Sequence, residues 1–157
     1  MSDLLGDTIA GGRTEASVIG RLELTIEGEP IAQARGKLAT VNGHAMQFKP
    51  KKSRNYESIV RERAINVWNG RPLISGVPIE LHARFYKSIP KSWSKRDQQA
   101  ARDGNLRPLG TPDVSNYIKA VEDGLAGAVF FNDSLIVRIV AEKAYSERPR
   151  VEIVVTW

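Results

Sequence analysis

No cysteine occurs in the 157-residue chain, and only two histidines do, His44 and His82. The first absence excludes disulfides and thiolate zinc sites and fits a reducing cytoplasm. The second excludes a multi-histidine metal centre. A bound metal must then take oxygen ligands, which points to magnesium or manganese. No stretch approaches the ~20 consecutive apolar residues of a transmembrane helix. Residues 1–16 lack the basic start and apolar core of a signal peptide; they are aperiodic and read as a disordered leader ahead of one domain at 17–157. Internal repeats and low-complexity segments are also missing.

What is present is an ordinary globular composition, 41% hydrophobic and 26% charged, with a net charge of +5. That excess is compatible with a nucleic-acid partner, and its distribution says more. Between Arg84 and Arg107 seven basic residues face two acidic ones, and Lys49, Lys51, Lys52 and Arg54 form a second cluster. Carboxylates concentrate elsewhere, including 113–133.

Leu22, Leu24 and Ile26 alternate with polar residues and predict a half-buried strand. Asn42-Gly43 between 37–41 and 45–48 predicts a tight hairpin, because both turn positions need φ > 0. Ser53 is placed to cap a helix running to about Asn69, with Gly70 as its stop and Tyr56, Ile59, Val60, Ala64, Val67 and Trp68 as its apolar stripe. A strand is expected over 77–85, a short helix over 94–102, and a helix capped by Asp113 with Val114, Tyr117, Ile118, Val121 and Leu125 on its apolar face. Strands near 135–141 and over 151–155 close the chain. The expected architecture is α+β: one mixed sheet with helices packed mainly on one face.

The segment that carries chemistry runs from Thr111 to Ser134. Asp113 stands where a loop meets a helix. Asn116, Lys119 and Asp123 share the helix face opposite the apolar stripe. A turn then brings in Asp133. Phosphodiester hydrolysis uses such groups: carboxylates hold a hard cation that polarises phosphate and activates water, and a lysine stabilises developing charge. A plainer reading of the same residues stays open. Asp113 is a good helix cap, Lys119 and Asp123 an i,i+4 pair, and Asp133-Ser134 turn chemistry.

The run Pro112-Asp113-Val114-Ser115-Asn116-Tyr117-Ile118-Lys119, then Asp123-Gly124-Leu125-Ala126-Gly127 and Asn132-Asp133-Ser134, resembles the RusA family of Holliday junction resolvases. The family core reads roughly Pro-Asp-x-Asp-Asn-x-x-Lys, Asp-x-Leu-x-Gly and Asp-Asp-Ser. Gly28-Glu29-Pro30, Arg35-Gly36-Lys37, Ile89-Pro90-Lys91-Ser92-Trp93-Ser94 and Pro149-Arg150-Val151-Glu152-Ile153 extend the likeness over about residues 20–157.

The resemblance implies a homodimer, common in phages and prophages and working in the host cytoplasm, that nicks four-way DNA junctions in pairs with magnesium (manganese as the alternative). It implies Asp113, Lys119 and Asp133 as catalytic residues and Asp113, Asp133 and position 115 around the metal. Ser115 stands where the family has an aspartate, and Asn132 where it has the first aspartate of its pair. Candidate DNA contacts are Arg35, Lys37, Lys51, Lys52, Arg54, Lys91, Lys95 and Asn116. Two other readings remain at this point: a junction-binding protein with weakened catalysis, and a structural domain with a protein partner. Trp68 reads as a core residue, whereas Trp93, in the basic connector, is available to stack on an unpaired base.

Overall fold

The computed structural model describes residues 18–34 and 36–157. The expected leader, residues 1–16, and the candidate Arg35 lie outside the described residues. The elements run β1 (Arg21–Glu27), β2 (Lys37–Val41), β3 (His44–Phe48), α1 (Lys51–Trp68), β4 (Ile79–Ser88), α2 (Lys95–Arg102), α3 (Val114–Leu125), a 3-10 turn (Asp133–Leu135), β5 (Ile136–Ser146) and β6 (Arg150–Thr156).

Four strands form one mixed sheet in the order β1-β6-β4-β5, with β4 and β5 parallel and the other pairs antiparallel. Parallel neighbours need a long crossover, and here it carries α2 and α3. Alternate side chains of β1, β4 and β6 are buried: Leu22, Leu24 and Ile26 on β1, Ile79, Leu81, Ala83 and Phe85 on β4, and Val151, Ile153 and Val155 on β6. That face meets α1 and α3, whereas the alternate residues form an open polar face. The α+β expectation is met.

Helix α1 buries Tyr56, Val60, Ala64 and Trp68, spaced so that all lie along one line of the helix. Ile59, expected in that stripe, is 50% exposed. Helix α3 buries Tyr117, Ile118, Ala120, Val121, Gly124 and Leu125. The two helices meet where Gly124 has no side chain: a Cβ there would lie 2.6 Å from Val60 Cγ1 and 3.2 Å from the Glu57 carbonyl. Glycine is what lets these backbones approach. Trp68 is buried as expected, donating from Nε1 to the Arg71 carbonyl and meeting Trp157 edge-on.

Several boundaries differ from the sequence reading. Helix α1 starts at Lys51 behind Pro50, not at a Ser53 cap. Proline suits that place because its fixed φ directs the chain into the helix and no amide proton is needed there. Ser53 is instead buried inside the first turn, where its hydroxyl accepts from the Ala34 amide at 3.0 Å. Strand β4 begins after Pro78, which cannot donate to the ladder, and it continues to Ser88. Strand β5 extends five residues past the expected Ala141; Glu142 and Lys143 disguised it because an edge strand tolerates charge. The hairpin is as expected, with φ of 51° at Asn42 and 77° at Gly43.

Candidate active site

Helix α3 is the spine of the site. Asp113 occupies its N-cap position, and its carbonyl accepts from the Asn116 and Tyr117 amides. Its side chain makes no capping hydrogen bond. The carboxylate is exposed and engaged in no ion pair among the described residues. The plain capping role therefore does not account for this side chain. The loop before it is held by Lys143, whose ammonium donates to the Gly110 and Pro112 carbonyls at 2.9 and 3.1 Å.

A cleft of about 450 Å³ opens at this end of α3, lined by residues 30–34, Pro50, Lys52, Ser53 and the segment Thr111 to Asp113 with Asn116. Gln33 is among the lining residues, and its backbone amide donates to the Asn116 carbonyl at 2.9 Å. Three predicted residues, Asp113, Asn116 and Lys52, thus share one concavity. Ser115 is exposed in the first turn of α3, two residues after Asp113.

Further down the same helix, Lys119 Nζ lies 3.2 Å from Asp133 and 3.1 Å from Asp123. The spacing expected to put Lys119 and Asp123 on one face does so, but the pair is more than a routine surface contact. Asp123 also meets Lys49 Nζ at 2.8 Å, and Lys49 meets Glu57 at 2.6 Å. Charges alternate from Glu57 to Lys49, Asp123, Lys119 and Asp133, linking the foot of the hairpin, α1, α3 and the turn after it. Arg61 adds a bond to the Asp123 carbonyl at 2.9 Å.

The electrostatics follow. Burial works against the Lys119 ammonium, but Asp123 and Asp133 outweigh it and hold its pKa above the ordinary 10.5. Burial likewise pushes the Asp123 carboxyl up, yet Lys49 and Lys119 prevail and keep it below the usual range. Glu122 goes the other way: burial raises it, Lys119 offsets this in part, and the charges of Asp133 and Asp123 raise it further. A lysine held in this way stays protonated, so it serves as a fixed positive charge rather than a base.

The turn after α3 uses Asn132 as its cap: Oδ1 accepts from the Ser134 amide at 3.0 Å and from the Ser134 hydroxyl. Turn chemistry thus falls to Asn132, leaving the Asp133 carboxylate to Lys119.

Among the described residues no three histidine, aspartate or glutamate side chains gather to hold a metal ion. The donors are nonetheless all oxygen, and magnesium needs only one or two carboxylates when phosphate and water complete its shell. The residues fit a hard cation bound together with a phosphate, not one held in a closed protein cage.

Of the predicted DNA contacts, Lys37, Lys51, Lys52, Arg54, Lys91 and Lys95 are exposed and absent from the ion pairs of the described residues. Other members of the two basic clusters are engaged. Arg84 and Arg107 both meet Glu142, Arg102 meets Glu147, and Lys49 turns inward. Trp93 is half-buried and packs edge-on against Tyr145, centroids 5.2 Å apart. The sequence reading missed the joint role of Lys49 and Glu57, since 74 residues separate Lys49 from Asp123 and no local pattern spans that distance.

The family model described as Endodeoxyribonuclease RusA matches residues 27–156. A relative from Bacillus subtilis (strain 168), named Uncharacterized protein YqaN, is 36% identical over 138 residues, covering 85% of this chain and 94% of the relative. With its matched region running from the last residue of β1 to the end of β6, the chain belongs to the RusA family of endodeoxyribonucleases.

Proposed function

We propose that the protein is a magnesium-dependent resolvase that cuts four-way DNA junctions by paired nicks, acting as a homodimer in the bacterial cytoplasm during recombination and repair. The observation that carries the reading is the position of Lys119, 3.2 Å from Asp133 of the following turn, on the helix whose N-terminus presents the Asp113 carboxylate, unpaired among the described residues. It stands on the family match over residues 27–156.

Asp113 and Asp133 would hold the cation, with Ser115 contributing a neutral oxygen. When bound, the metal polarises the phosphate and lowers the pKa of a coordinated water. Lys119 places a permanent ammonium against charge developing on the phosphate. Asp123, itself locked by Lys49, holds Lys119 in place. Asn116 and Lys52 bind the strand at the cleft beside Asp113, and Lys37, Lys51, Arg54, Lys91 and Lys95 take flanking phosphates.

One observation favours a weaker catalyst on the same scaffold: Ser115 and Asn132 replace two carboxylates, and Asn132 is committed to its turn. Cleavage of a labelled synthetic four-way junction separates the two readings. The resolvase reading expects paired nicks that require magnesium and are lost in Asp133→Asn. Tight junction binding without nicks by the wild type, in magnesium or manganese, would establish a binding protein instead.

A further inference from the structure

Among the described residues strands β2 and β3 pair only with each other, and all ten of their residues are exposed. Residues that face each other across an antiparallel pair share a side. One side of the ribbon therefore carries Phe48 with Lys37, Met46 with Ala39, and Val41 with His44. Val41, Met46 and Phe48 are 40%, 47% and 43% exposed. A contiguous apolar row on a projecting two-stranded ribbon adds nothing to the core, and a ribbon of this size is marginal alone. Such surfaces mark contact sites.

The charge around the ribbon selects its partner. From Pro30 to Tyr56 there is no acidic residue, while Arg35, Lys37, Lys49, Lys51, Lys52 and Arg54 are basic. A second copy of this ribbon would bring like charges together; a polyanion would not. The ribbon's foot also adjoins the site: Ala34 and Pro50 line the cleft with Asp113, and Lys49 ties the end of β3 to Asp123 beside Lys119.

We infer that the β2–β3 ribbon is the element that opens the branch point. Its apolar row of Val41, Met46 and Phe48 lies against unstacked bases, while Lys37, Lys51, Lys52 and Arg54 hold the flanking phosphates. The inference rests on the resolvase reading and names the part of the protein that recognises the branch. Apolar wedges kink and unstack DNA in this way, and base stacking tolerates any sequence because every base presents a flat face.

The test uses a four-way junction carrying 2-aminopurine beside the branch point, which brightens on unstacking, with the full-length protein in EDTA so that nothing is cut. The wild type should produce a several-fold rise. The triple variant Val41→Ser, Met46→Ser, Phe48→Ser should lose that rise and cut the junction about tenfold more slowly in magnesium, the scale of one or two lost base stacks. Its junction affinity should fall far less, because phosphate contacts dominate binding. A shortened ribbon lacking Thr40, Val41, His44 and Ala45, which keeps Asn42-Gly43 between the paired Ala39 and Met46, withdraws the tip of the row and should lose most of the rise as well. Both variants should melt with the wild type. Junction binding with no rise, or a rise that both variants retain, overturns this inference alone. A dimer-to-monomer shift in both variants on sedimentation also overturns it, by giving the ribbon to a second copy. Wild type that fails to prefer junction over linear duplex overturns the resolvase reading as well.

Discussion

Position 115 is where single atoms decide the most. Ser115 offers a neutral oxygen at the first turn of α3, close in sequence to the free carboxylate of Asp113. If this position faces the cation, Ser115→Asp adds a charge to the shell and should lower the magnesium concentration for half-maximal cutting by roughly tenfold or more, on the scale of a charge-assisted contact. An unchanged magnesium titration would place residue 115 outside the shell. Glu122 makes a second prediction through its raised pKa. A carboxyl with a folded pKa above its unfolded value penalises the folded state once deprotonated. That penalty is absent below about pH 4, develops as pH rises through the folded value, and is full at neutrality. Glu122→Gln should therefore raise the melting temperature at pH 7 and leave it unchanged near pH 3. Asp123 has the opposite sign: its lowered pKa supports the fold at neutral pH and that support is lost on acidification. Thermal melts of Glu122→Gln across this range check the first statement directly.

At the scale of elements, the contact that sets the site is the approach of α1 to α3. Gly124 makes it possible, with Val60 and the Glu57 carbonyl occupying the space a Cβ would need. In Gly124→Ala, overpacking of ~1–3 kcal/mol should outweigh the ~1 kcal/mol gained in helix propensity. The melting temperature should drop by a few degrees. Because α3 also carries Lys119, cutting should fall too. Adding Val60→Ala should recover part of the stability, since the crowding is shared with Val60; a double variant showing purely additive losses would refute the close-approach account. The same contact explains why Glu57 on α1 reaches Lys49 and, through it, the α3 carboxylate.

For the whole molecule, the relevant quantity is how many of its cations are available to DNA. The net charge of +5 understates the contrast, because Arg84, Arg102 and Arg107 are already paired with carboxylates, whereas Lys37, Lys51, Lys52, Arg54, Lys91 and Lys95 are in no ion pair among the described residues. If those six each neutralise one phosphate, log affinity for a junction should fall with log salt at a slope of about −5. Lys51→Gln with Lys52→Gln should reduce that slope by about 2, and Arg84→Gln should leave it nearly unchanged. Equal effects from paired and unpaired cations would show that the ion pairs open on binding.

Local chemistry made much of this legible beforehand. Strand alternation, the Asn42-Gly43 turn and the apolar face of α3 are short-range patterns, and the α+β layout followed from their order. The Asp113, Lys119 and Asp133 motif lies within 21 residues, so its membership of one region was readable too. Other features depended on residues far apart in the chain. Ser53 looked like a cap until the Ala34 amide, from another segment, gave its hydroxyl a buried partner. Lys49 looked like a surface cation until folding placed it between Glu57 and Asp123. Periodicity reports which side of an element is apolar; which charges meet, and which stay free for a phosphate, depends on distances that only packing of α1 against α3 creates.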